Sequence, residues 1–104
     1  MPLPNDPSRL DDVATAFRAL GHPTRLRILA ALNGEGALSP SQIIRRIDTS
    51  AGLANVAYHT RELAALGLLT PAGSRPARGA LEHFYRLSAD GRRLIELAAQ
   101  VPGG

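Results

Sequence analysis

In the stretch GLANVAYHTRELAALGLL, Gly52 to Leu69, the residues Asn55, Tyr58 and Arg61 recur every third position. On a helix that spacing puts them on one face. All three side chains are suited to hydrogen-bonding the polar edges of another molecule. An asparagine amide pairs bidentately with adenine and a guanidinium with guanine, each pairing giving about 1–3 kcal/mol of discrimination. A tyrosine hydroxyl can donate to a phosphate. Ala54 and Ala57 share that side and are small enough to let a backbone approach, and either can touch a thymine methyl. Val56, Leu63 and Leu66 form the opposite, apolar stripe, with His59 and Thr60 filling the place between them, and Gly67 supplies the stop.

Other chemistries find less support. His22, His59 and His83 lie on three separate segments without the i, i+4 spacing of a ligand pair, so no metal site is expected. There is no cysteine, which excludes a disulfide framework, a thiolate zinc site and a cysteine nucleophile. Ser39 and Ser50 lack a His/Asp constellation, and no glycine-rich phosphate loop or paired-carboxylate motif occurs; neither an enzyme nor a cofactor protein is expected. The charge is more informative. The net charge is +3, and residues 1–38 are neutral, with Arg9, Arg18, Arg25 and Arg27 set against Asp6, Asp11, Asp12 and Glu35. The surplus lies later, where Arg45, Arg46, Arg61, Arg75, Arg78, Arg86, Arg92 and Arg93 outnumber Asp48, Glu62, Glu82 and Asp90. A basic patch of this kind implies a polyanionic partner. Arg45, Arg46, Arg75 and Arg78 join Arg61 as candidate contacts, whereas Arg25 and Arg27 read as surface ion-pairing residues.

A chain of 104 residues is expected to be one domain. Three prolines in residues 1–7 mark a flexible arm, and the domain proper runs over 8–101. Ser8 caps a first helix to Leu20, with Leu10, Val13, Ala14, Phe17 and Leu20 at helical spacing. His22 caps and Pro23 opens a second helix, whose stripe is Leu26, Leu29, Ala30 and Leu32 with Ile28 flanking. Ser39, Pro40 and Gln42 make a capping box for a short third helix anchored by Ile43, Ile44 and Ile47. The opening stretch is the fourth helix. LLT and ALEHFYRL then alternate as strands around PAGSRPARG, a loose basic hairpin tip carrying Arg75 and Arg78. Ser88 caps a last helix. No apolar run approaches the roughly 20 residues of a membrane span, and the N-terminus lacks the pattern of a signal peptide. A cytoplasmic protein without membrane attachment is expected.

The order is therefore mainly α with a small β-hairpin: the winged helix-turn-helix (α-α-α-α-β-β-α). The major groove of B-DNA is about 12 Å wide and admits one helix. The preceding helix braces that helix, and the hairpin can reach phosphates or the minor groove. On this frame Ala54, Asn55, Ala57, Tyr58 and Arg61 face a groove. The segments LGHPTRLRILAAL, LSPSQIIRRI, NVAYHTRELAALGLL and EHFYRLSADG together resemble the ArsR-type winged-helix transcriptional regulators over most of the chain. The resemblance implies a homodimer that binds a double-stranded, inverted-repeat operator and represses transcription. It places the dimer interface on the first and last helices, hence on Leu10, Val13, Phe17, Leu94, Leu97 and Val101, and leaves room for an unidentified small-molecule effector. Metal-sensing relatives carry cysteine pairs before the recognition helix, or Asp, His and Glu on the last one. Here Ser39–Ile47 has no cysteine, and the last helix offers only Asp90 and Glu96. The alternative is a winged-helix module for protein–protein contact without DNA. Apolar residues in place of arginines on the wing and outer helix face would mark it.

Overall fold

The computed structural model describes residues 14, 18, 21–47 and 49–99. In chain order they form α1 (Pro23–Leu32), α2 (Pro40–Ile44), α3 (Leu53–Ala65), β1 (Leu69–Ala77), β2 (Ala80–Leu87) and α4 (Ala89–Ala99). One antiparallel hairpin among helices, in this order, is a winged helix-turn-helix. The expected arm at 1–7 lies outside the described residues. So does the expected first helix, apart from Ala14 and Arg18, which are helical. Leu10, Val13, Phe17 and Val101 fall outside them too. Among the described residues no helix is long and apolar enough to cross a membrane.

Local chemistry sets the element ends. Pro23 opens α1, but His22 serves as its N-cap by backbone alone; its side chain makes no capping bond. In α2 the expected capping box is present in full, with Gln42 N–H donating to Ser39 Oγ at 3.3 Å and Ser39 N–H donating to Gln42 Oε1 at 3.0 Å. Gly67, at φ +80°, ends α3 in the left-handed conformation that glycine adopts without strain. The Ser88 hydroxyl accepts from Gly91 N–H at 3.0 Å and donates to Gly67 O at 2.7 Å, so one side chain caps α4 and ties it to the end of α3. Gly91 allows α4 to lie directly on the chain below, since a Cβ there would stand 2.1 Å from Leu68 O.

The core is shared by every element. Ile28, Leu29 and Leu32 from α1, Ile43 from α2, and Val56 and Leu63 from α3 are fully buried, and Leu68, Leu69, Leu87 and Leu94 close over them. The α1 stripe differs in phase from the expected one. Ile28 is central, Ala30 is exposed and Leu26 is half-buried. The buried set is Arg25, Ile28, Leu29 and Leu32, an i, i+3, i+4, i+7 pattern whose first place is held by a charged residue that hydropathy alone passes over.

The hairpin is longer and tighter than expected. Strand pairing continues from Leu69↔Leu87 to Ala77↔Ala80, broken by a bulge between Pro71 and Ser74, and the turn is only Arg78-Gly79. Both turn residues have positive φ, 50° and 81°, the twist that suits a two-residue hairpin. Pro71 and Pro76 sit within β1 because a two-stranded ribbon leaves one row of backbone groups on each strand unpaired. Leu38 extends the ribbon by one bridge, exchanging both backbone bonds with Tyr85 at 2.9 Å. That bridge anchors the base of the wing beside the N-terminus of α2.

Candidate nucleic-acid interface

α3 packs against α1 and α2 through Val56, Thr60 and Leu63, which are fully buried. Thr60 is accommodated there because its hydroxyl donates to Val56 O at 2.7 Å. With that side fixed, Ala54, Asn55, Tyr58 and Arg61 are exposed and Ala57 is half-buried. The five residues expected to share the outer face of the helix therefore do so. Among the described residues Asn55 and Arg61 have no side-chain hydrogen bond or ion pair within the chain, and Leu53, the first residue of α3, is 48% exposed.

Tyr58 is more constrained. Its hydroxyl lies 3.4 Å from Glu62 Oε1 and its ring packs edge-on against His59. Behind it is a polar cluster built from Arg25, His22, His59 and Glu62. Arg25 is not on the surface: it is 7% exposed, with Nε donating to His59 Nδ1 at 3.1 Å and Nη2 standing 3.9 Å from Glu62. The His22 and His59 rings are 5.4 Å apart. Burial, followed by the charge of Arg25 and the proximity of His22, pushes the His59 pKa below its ordinary value, against the opposing pull of Glu62. A charged residue in the buried phase of α1 was the available signal for this cluster. Among the described residues no three His, Asp or Glu side chains gather as a metal site would require.

The remaining arginines divide between paired and open. Arg45 and Arg46 are both exposed beyond the end of α2, but Arg46 is tied back, donating to Gln42 O at 3.1 Å and standing 3.9 Å from Glu35. Arg78 occupies the turn of the wing, as expected. Arg75 does not: it lies within β1, opposite Glu82, with Nε donating to Glu82 Oε1 at 3.0 Å and its guanidinium carbon 5.1 Å from the centre of the Phe84 ring. The expected loose loop is ordered strand at this point, so Arg75 has structural partners. Glu82 is also bound from the other side, where Ser39 Oγ donates to Oε2 at 2.5 Å. The Ser39 hydroxyl and then Arg75 hold the Glu82 carboxyl below its ordinary pKa.

On α4, Leu94 is 8% exposed and packs into the chain's own core, whereas Leu97, the other α4 leucine expected at an interface, is 56% exposed. Arg93 pairs with Asp90 at 3.7 Å.

A family model described as a helix-turn-helix domain matches residues 20–72, just over half of the chain. The chain belongs to this helix-turn-helix family. The matched stretch runs from before α1 into β1 and so contains both α2 and α3. No curated protein sequence matches the chain. Solved structures resemble it over nearly its whole length. The transcriptional repressor BigR from Xylella fastidiosa has a TM-score of 0.71 and 22% identity, covering 93% of this chain and 92% of its own. The homodimeric winged helix-turn-helix domain Mb0332 from Mycobacterium bovis, described as a possible ArsR-family regulator, has a TM-score of 0.66 and 24% identity, covering 95% and 85%. The antimony-specific transcriptional repressor AntR has a TM-score of 0.70 and 23% identity, covering 94% and 83%. At these identities the likeness establishes the winged fold.

Proposed function

We propose that this protein is a sequence-specific double-stranded DNA-binding regulator of the ArsR type, acting as a homodimeric repressor. The observation that carries the proposal is the two-sidedness of α3: Val56, Thr60 and Leu63 are fully buried while Asn55, Tyr58 and Arg61 are exposed. In this role α3 enters the major groove, where Asn55 and Arg61 read base edges and Ala54 and Ala57 permit close approach. Arg45 and Arg78 contact phosphates from either side. BigR and AntR are described as repressors and the Mycobacterium bovis domain as homodimeric, which supports the same assignment here. No catalytic role is assigned.

The test is selection of bound fragments from the source genome, followed by anisotropy titration of a selected duplex and a random duplex at several salt concentrations. Log K should fall with log salt at a slope of about −0.9 per phosphate neutralised. The selected sites should be inverted repeats with half-sites about 34–36 Å apart or a multiple of that. A flat salt response, or no binding, would transfer the fold to protein–protein contact. For the homodimer, the exposed Leu97 on α4 is the residue to change. Leu97→Asp should convert dimer to monomer in sedimentation equilibrium, and a variant that stays dimeric would move the interface elsewhere.

A further inference from the structure

Glu82 is the junction of three elements. Its Oε2 accepts from the Ser39 hydroxyl at the N-cap of α2, and its Oε1 accepts from Arg75 on the neighbouring strand. Ser39 is itself fully buried, and its hydroxyl oxygen also accepts from Gln42 N–H. The Glu82 side chain is 15% exposed, whereas that of Arg75 is 62% exposed, its guanidinium held near the Phe84 ring. The wing thus offers an arginine to solvent with a matched anion fixed beneath it. A long arginine on an exposed ribbon needs no such anion to stay soluble, and an acid at that position opposes the approach of any phosphate.

We propose that Glu82 sets the electrostatic strength of duplex binding: its carboxylate, bridged between Ser39 and Arg75, compensates the Arg75 charge and so limits attraction of the wing to the phosphates of any duplex. The inference rests on the duplex-binding reading above. Non-specific affinity is almost wholly electrostatic and scales with the number of phosphates neutralised, whereas base contacts by α3 are insensitive to one wing charge. Phosphate contacts carry no sequence information, so an arginine held in an ion pair on the wing lowers attraction to every duplex alike.

The experiment uses the full chain, wild type and Glu82→Gln, Arg75→Ala and the double variant, titrated against a random 30-base-pair duplex over a salt series. Glutamine keeps an acceptor for the Ser39 hydroxyl, and unchanged circular dichroism will show that the fold is retained. Glu82→Gln should steepen the log–log salt slope by about one and tighten binding about fivefold at 0.15 M salt, the worth of one extra phosphate contact. Arg75→Ala alone should leave the slope close to wild type, and the gain from Glu82→Gln should vanish in its background. An unchanged slope in Glu82→Gln, or an equal gain with and without Arg75, overturns the proposal while leaving duplex binding intact. A wild-type chain that binds no duplex overturns both.

Discussion

α3 and the wing both present arginines outward, but they fix them by different means. On α3 the orientation of Arg61 follows from burial: Val56, Thr60 and Leu63 are completely enclosed, so the opposite face has one direction to point. On the wing, burial is confined to the base, where Leu69 and Leu87 reach the core; further out, the position of Arg75 is set by Glu82, Ser39 and Phe84. The helix carries an arginine with no ion pair among the described residues on a rigid support. The wing carries one arginine that is matched, Arg75, one at the turn, Arg78, and an exposed one on β2, Arg86. Burial therefore commits α3 to a single presentation, whereas pairing makes the charge of the wing adjustable.

The largest test of that contrast is thermodynamic. Leu63→Ala removes a fully buried side chain and should cost about 2–5 kcal/mol in urea unfolding. Leu81→Ala, on a wing residue that is 59% exposed, should change stability by less than about 0.5 kcal/mol. Equal losses at the two sites would mean that the outer wing is held by packing as α3 is, and the distinction would fail.

The same contrast explains what could be read from the chain in advance. The face of α3 was legible because apolar periodicity records burial, and Asn55, Tyr58 and Arg61 follow once Val56 and Leu63 are turned inward. The Ser39–Gln42 capping box was legible because its partners are three residues apart. The Ser39–Glu82 bond and the Leu38–Tyr85 bridge join residues more than 40 positions apart, and neither leaves a local pattern. Arg25 reads as a surface residue for a related reason. It completes the buried phase of α1, but its presence there depends on His59 and Glu62 from α3 to satisfy the guanidinium. Arg75 reads as a loop-tip residue because Pro71, Gly73 and Pro76 are typical of loops, whereas a bulged two-stranded ribbon accommodates all three.

A binding comparison comes next in size. Arg61→Ala should lose about 1–3 kcal/mol of discrimination between a selected duplex and a random one. Arg78→Ala should weaken both duplexes alike and reduce the salt slope by about one. Paired anisotropy titrations separate the two outcomes. If Arg61→Ala weakened both duplexes equally, the guanidinium would be reading phosphate, and α3 would differ from the wing in rigidity but not in the kind of contact made.

The smallest expected effect concerns the cluster behind α3. His59 Nδ1 accepts the bond from Arg25 Nε, so that nitrogen must be unprotonated while the bond exists. Burial, Arg25 and His22 together lower the His59 pKa from 6.5, with Glu62 opposing them. A histidine whose pKa is depressed on folding binds more protons in the unfolded chain, so stability increases with pH across the interval between the two values. The contribution is complete above pH 6.5 and is lost as pH falls from there through the folded-state value. Glu82 acts in the same direction but lower, losing its contribution only as pH falls from its ordinary 4.5 towards its folded value. Urea unfolding between pH 7.5 and 5.0 therefore isolates the histidine. Wild type should lose stability towards the acid end, and His59→Gln, which keeps an acceptor for Arg25 but cannot titrate, should flatten the curve. The same slope in both proteins would show that Arg25 holds α1 to α3 without His59, leaving Glu62 as its partner across that contact.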